Sequence, residues 1–243
     1  MTRIALVTGS AVRVGREISL HLAEKGWDLA LHYNASSQEA KLLESDLKYR
    51  YPNQRFCTFR SDLTSAEETK SLIGEVIRHF GRLNLLINNA AIFEPASFKN
   101  SSIHSLDLHW AIDFRAPFIL MNEFANLSNE GIIINMADTR ITNNKSNFFA
   151  YSIAKKALHE MTKMAALELA PAFRINSVAP GALLPPTGKG EAYLEQVAAK
   201  MPMGVPVKMK IIMQSIDYLI ENDNITGQIL FCDSGESLIN PIY

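Results

Sequence analysis

Cysteine is scarce: the 243 residues include two, Cys57 and Cys232, far apart and without metal-ligand spacing. That excludes a disulfide framework and a cysteine-based metal site, and it fits a reducing compartment. Charge of one sign is missing too, with 24 Lys plus Arg against 25 Asp plus Glu. Nothing resembles the clustered positive charge that a nucleic-acid groove or an anionic membrane surface requires. No apolar run approaches the length of a membrane span, and MTRIALVTGS enters strand-like sequence within three residues, leaving no room for a signal peptide. A cytosolic protein is expected, acting on a small molecule. Tandem repeats and low-complexity segments are also absent.

What is present is apolar content, 47% of the chain, enough to bury a substantial core in one domain spanning residues 1–243. Short apolar runs alternate with stretches of helical period. IALVTG, WDLALHY, RFCTFRSDL, LNLLINNAA, GIIINMA, RINSVAPG and QILFCD read as strands. Between them lie GREISLHLAEKG, SSQEAKLLESDLKYRY, AEETKSLIGEVIRHFG, LDLHWAIDFRAPFILMNEFANL and a helix carrying Tyr151. Strands apolar on both faces belong to a parallel sheet covered by helices on both sides, so the fold class is α/β, doubly wound, of Rossmann type. The least regular stretch, 183–210, holds four prolines around a short helical piece. A connection of that length reads as a substrate lid.

The first strand runs into TGSAVRVG, where Gly9 and Gly15 allow a sharp turn and a close approach of the following helix N-terminus to a ligand. Backbone amides of this turn, Val14 included, and the helix dipole then face a pyrophosphate. A dinucleotide fold reads its cofactor again at the end of the second strand, where an acid would hold the 2′-hydroxyl of NAD. Here that point is His32, Tyr33, Asn34, Ala35, Ser36 and Ser37, with no acid. Hydroxyls, an imidazole and an amide suit a 2′-phosphate, and Arg13 in the glycine turn adds a fixed positive charge. The expected cofactor is NADP(H), with Arg13 and His32 among the donors to its phosphate.

Tyr151 stands four residues before Lys155, so both face one side of a helix and reach the same bound molecule. An ammonium near a phenol stabilises the phenolate, which predicts a Tyr151 pKa lowered toward neutrality. Reduction of C=O or C=N needs that proton as well as a hydride. Asp138 stands thirteen residues before Tyr151. It reads as a third participant, or, within the turn-forming run DTRITNN, as a local turn acceptor.

These motifs together resemble the short-chain dehydrogenase/reductase family over nearly the whole chain. TGSAVRVG, Asp62-Leu63, NNAA at Asn88 to Ala91, YSIAK at Tyr151 to Lys155, APG at Ala179 to Gly181 and ITGQ near the end follow the family's order and spacing. The resemblance implies that Asp62 and Leu63 bracket the adenine. It implies that Asn88 and Ala90 stabilise the central sheet beside the cofactor, with Asn89, Ala90 and Ala91 among the residues that bind it. By the same resemblance Lys155 holds the nicotinamide ribose, and Pro180 with Gly181 lines the nicotinamide. It also implies a homotetramer built on the helices around Leu106 to Leu127 and Tyr151 to Ala170.

Departures from the family pattern narrow the reading. Most members carry glycine at Arg13, serine at Asp138 and asparagine at Asp113, and DSG at Asp233 to Gly235 replaces the usual DGG. Arg13, Asp138 and HYN together resemble the pteridine reductase branch, which includes dihydromonapterin and dihydrofolate reductases. That resemblance implies catalytic Asp138, Tyr151 and Lys155, with Phe93, Asp138 and Tyr151 contacting a flat heteroaromatic substrate. Two alternatives stand beside it: a carbonyl or 3-oxoacyl reductase, and a cofactor-binding regulatory protein without turnover. Retention of both Tyr151 and Lys155 argues against the last, since binding alone does not need the phenol.

Overall fold

The computed structural model describes residues 2–144, 146–185, 188 and 190–239. All seven expected strands form: β1 (Ile4–Val7), β2 (Asp28–Tyr33), β3 (Phe56–Arg60), β4 (Leu85–Asn88), β5 (Gly131–Met136), β6 (Phe173–Pro180) and β7 (Ile229–Cys232). They make one parallel sheet in the order β3-β2-β1-β4-β5-β6-β7. Both faces of the sheet are covered, which is why its strands are apolar throughout rather than alternating: Ile4, Ala5, Leu6 and Val7 are all fully buried.

The helices are α1 (Arg13–Glu24), α2 (Ser37–Arg50), α3 (Ala66–Phe80), α4 (Ile103–His109), α5 (Ala116–Leu127), α6 (Phe149–Leu169), α7 (Glu191–Ala198), α8 (Met209–Glu221) and the short α9 (Glu236–Ile239). One core pairs Ile18 and Leu22 of α1, Leu43 and Leu47 of α2, and Ile212 and Ile216 of α8 with one face of the sheet. The other pairs Leu72 and Val76 of α3, Leu120 and Phe124 of α5 and Ala166 of α6 with the opposite face.

Two features of this frame position the site. The strand order reverses between β1 and β4, so the loops leaving those strands diverge and open a crevice at their carboxyl ends. The stretch read as one helix, 106–127, is interrupted by a π-helical segment, Trp110–Arg115, between α4 and α5. Such a wide turn admits an extra residue and re-aims the side chains on it, and here it turns Asp113 inward to complete burial. The expected lid contains helix α7, while Pro186, Thr187 and Lys189 lie outside the described residues. Among the described residues, no helix is long and apolar enough to cross a membrane.

Candidate active site

A cleft of about 510 Å³ opens over the crevice. Residues from separate stretches line it: Gly9 with Val12 to Gly15, His32 with Asn34, Asp62 with Leu63, Asn89 to Phe93, Ile112, Met136 to Asp138 with Arg140 and Phe148, Tyr151 with Lys155, Pro180 to Leu184, and Tyr193, Leu194 and Val197 of α7.

The glycine turn forms the floor at β1. Gly9 has φ +63°, and a Cβ there would lie 3.1 Å from the Ala90 Cα. At Gly15 a Cβ would meet the Gly9 carbonyl oxygen at 2.0 Å, so no other residue fits the first turn of α1. Thr8 and Asn89 lock this turn to β4. The Thr8 Oγ1 accepts from the Asn89 and Ala90 amides at 2.9 Å, and Asn89 Nδ2 donates to the Thr8 carbonyl at 2.8 Å. Helix α1 starts from Val12, whose side chain has no acceptor for the first-turn amides, so those donors suit an anionic group. Asn34 at the end of β2 lines the cleft with no carboxylate beside it, which fits a 2′-phosphorylated dinucleotide. Asn88 sits under the floor and donates to Asn135 Oδ1 at 2.8 Å.

Two of the expected phosphate donors are engaged otherwise. His32 is buried, its Nδ1 accepting from the Gly9 amide at 3.0 Å and its Nε2 lying 3.0 Å from the Ser61 carbonyl. Burial pushes its pKa down to about 4, so the imidazole is neutral and braces the glycine turn at the edge of the cleft. Arg13 has φ +51°, the left-handed region where glycine is the comfortable residue. Its guanidinium donates to the Pro185 carbonyl at 3.2 Å, in the segment after β6, and Arg13 lines the cleft. Tyr33 and Ser36 do not line the cleft, Ser36 being the residue that opens α2. Asp62 and Leu63 do line it, with Asp62 Oδ1 held by the Thr64 amide and hydroxyl.

The three residues read as catalytic converge. Tyr151 and Lys155, one turn apart on α6, are both buried. The Tyr151 hydroxyl donates to Asp138 Oδ2 at 2.9 Å, and Lys155 Nζ donates to the Met136 carbonyl at 2.8 Å. The expected lowering of the Tyr151 pKa is corrected. Burial and the neighbouring Asp138 push it well above the ordinary phenol value, while Lys155 Nζ stays 5.7 Å from the ring centre. The phenol is therefore held protonated, the form of a proton donor. Burial lowers the Lys155 pKa, against Asp113 and Asp138, which raise it.

Asp138 is a local cap as well as a partner of Tyr151. Its Oδ1 accepts from the Arg140 amide at 2.8 Å, opening the short 3-10 turn Thr139–Thr142. The Arg140 guanidinium then doubles back onto both carboxylate oxygens at 3.1 and 3.2 Å. Neither Arg140 nor Phe148 carries a pattern in the sequence that marks it. Phe148 stacks on Phe93, with ring centres 4.0 Å apart and planes 11° from parallel, and Arg140 lies 5.1 Å from the centre of each ring. Phe93 also meets the Tyr151 ring edge-on at 4.9 Å. An aromatic wall, a cation and a phenol–carboxylate pair thus face one space. Tyr193, Leu194 and Val197 of α7 close another side with apolar surface. Pro180 and Gly181 line the cleft at the end of β6, and a Cβ at Gly181 would fall 2.8 Å from the Asp233 Cα.

Comparison with known proteins gives the following. The family profile described as enoyl-(acyl carrier protein) reductase matches residues 9–237. Pteridine reductase 1 of Leishmania tarentolae is 31% identical over 241 residues, covering 82% of this chain and 83% of that protein. The chloroplastic NADPH-dependent aldehyde reductase 2 of Arabidopsis thaliana is 27% identical, covering 96% of this chain and 93% of that protein. The crystal structure of FolM alternative dihydrofolate reductase 1 from Brucella canis, complexed with NADP, superposes with a TM-score of 0.91 at 28% identity. It covers 97% of this chain and 94% of that one.

Proposed function

The chain belongs to the short-chain dehydrogenase/reductase family and uses NADP(H), and from that premise we propose that it reduces a dihydropterin-like substrate such as dihydrobiopterin, dihydromonapterin or dihydrofolate. The observation that carries the proposal is the Asp138–Tyr151 hydrogen bond facing the Phe93–Phe148 wall. A carboxylate accepts from the amino-pyrimidine edge of a pterin with charge assistance that the family's usual serine lacks. An aromatic wall favours a flat ring over an aliphatic ketone. The pteridine reductase and alternative dihydrofolate reductase among the relatives support the same substrate class.

When bound, NADPH supplies the hydride for the C=N carbon. The glycine turn and the N-terminus of α1 would hold its pyrophosphate, Asn34 its 2′-phosphate, Asp62 and Leu63 its adenine, Asn89, Ala90 and Ala91 its central part, and Lys155, Pro180 and Gly181 its nicotinamide end. Tyr151 keeps its proton at Oη and delivers it to the substrate nitrogen. Asp138 orients that hydroxyl and accepts from the substrate, while Arg140 fixes the carboxylate plane. Lys155 contributes a buried positive charge that stabilises the phenolate left on Tyr151.

The test is NADPH consumption with dihydrobiopterin, dihydromonapterin and dihydrofolate beside a panel of aldehydes, ketones and 3-oxoacyl thioesters. Turnover confined to pterins supports the proposal. Turnover confined to carbonyl compounds replaces it with the carbonyl reductase reading that the aldehyde reductase relative favours. A cytosolic homotetramer completes the proposal. Exposed Phe118 on α5 and Met164 and Leu167 on α6 support pairing of those helices, and light scattering of the purified protein decides the assembly.

A further inference from the structure

Beside Lys155, and not among the residues that line the cleft, lies a second ionisable pair that the reaction described above does not use. His109 and Asp113, the end of α4 and the π-helical segment that follows, have no exposed surface. His109 Nδ1 lies 2.8 Å from Asp113 Oδ2, one helical turn away. Among the described residues His109 Nε2 and Asp113 Oδ1 have no hydrogen-bond partner, although both are fully buried. The Asp113 Oδ1 looks onto Lys155 Nζ at 4.0 Å. A buried carboxylate with an open lone pair costs free energy unless an opposite charge faces it.

The groups around the pair come from three elements. Burial raises the Asp113 pKa, and three neighbours oppose it: His109 on its own helical run, Lys155 from α6, and the Ile92 amide from the loop after β4. The Tyr151 ring stands 6.0 Å from the His109 ring, and Asp138 is the other carboxylate acting on Lys155. With His109 Nδ1 on Oδ2, the other carboxylate oxygen, Oδ1, is left facing the ammonium. An amide at position 113 would keep the hydrogen bond and lose the charge.

We infer that His109 and Asp113 are positioning residues that act through Lys155, setting a carboxylate oxygen opposite its buried ammonium. His109 fixes the carboxylate plane so that Oδ1 faces Nζ, and the charge at Nζ is what stabilises the Tyr151 phenolate. The inference rests on the Tyr151–Lys155 reduction chemistry and not on a pterin being the substrate.

The experiment reads Lys155 directly. Protein labelled with carbon-13 at lysine Cε is titrated without substrate, the Lys155 resonance being identified by its loss in Lys155→Arg. Asp113→Asn is expected to lower the Lys155 midpoint by about one pH unit or more, as removal of an opposite charge at this range does. His109→Leu is expected to lower it in the same direction, and the double variant no further than Asp113→Asn alone. The high-pH limb of kcat, measured with whichever substrate the enzyme turns over, should move down in parallel. Thermal unfolding of each variant verifies the fold. A Lys155 midpoint unchanged in folded Asp113→Asn, or unchanged in folded His109→Leu, overturns the inference. Because the titration needs no substrate, failure of the pterin assay leaves this result standing, and the reverse holds as well.

Discussion

The Tyr151 hydroxyl donates to Asp138 Oδ2 at 2.9 Å, joining the start of α6 to the turn after β5 across thirteen residues of sequence. Burial of the ring and this carboxylate beside it both disfavour phenolate, so the phenol stays protonated. Tyr151→Phe should therefore cut kcat by roughly a hundred- to ten-thousand-fold, the usual worth of a positioned general acid. NADPH affinity, read by quenching of protein fluorescence, should be unchanged. Substantial residual turnover would remove Tyr151 as the proton donor.

Asp138→Ser restores the family's usual residue and takes away a charged acceptor. Turnover of a pterin should fall by roughly ten- to a hundred-fold in kcat/KM, the loss of one charge-assisted hydrogen bond. Any carbonyl turnover should fall less. An equal loss on both substrate classes would reduce Asp138 to a capping residue for the Thr139–Thr142 turn.

Cofactor choice should respond at β2 rather than at the glycine turn. Asn34→Asp places a carboxylate where the 2′-phosphate is expected and should weaken NADPH at least about tenfold relative to NADH, through like-charge repulsion. Arg13, bonded to the Pro185 carbonyl, should affect both dinucleotides alike when changed to alanine. Dissociation constants for the two cofactors decide it: selective loss of NADPH in Arg13→Ala would return the phosphate role to Arg13.

His32 predicts a pH dependence of stability. Its folded-state pKa of about 4 lies below the 6.5 of an exposed imidazole. Between those values the unfolded chain binds a proton that the folded chain refuses, so stability is full above pH 6.5 and declines as the pH falls toward 4. At ~1.4 kcal/mol per pH unit the loss approaches about 3 kcal/mol. Urea unfolding at pH 7, 5.5 and 4.5 should show the decline, and His32→Asn should flatten its slope. Equal slopes in the two proteins would show that other groups dominate the acid sensitivity.

The sequence by itself determined what depends on local spacing. The alternation of apolar runs with helical period specified seven strands in a covered parallel sheet, because strands buried on both faces must be apolar throughout. Gly9 and Gly15 marked the cofactor turn: Gly9 takes a positive φ with its Cβ position crowded by Ala90 after β4, and a Cβ at Gly15 would collide with the Gly9 carbonyl. The four-residue interval from Tyr151 to Lys155 fixed a shared helix face. Only the tertiary structure decided which charge faces which. It turned Arg13 toward Pro185, buried His32 as a brace under Gly9, laid Arg140 on Asp138 and set His109 with Asp113 beside Lys155. The physical reason is that a side chain's ionisation and partners follow from burial and from groups tens of residues away, and neither is written in the period of the chain around it.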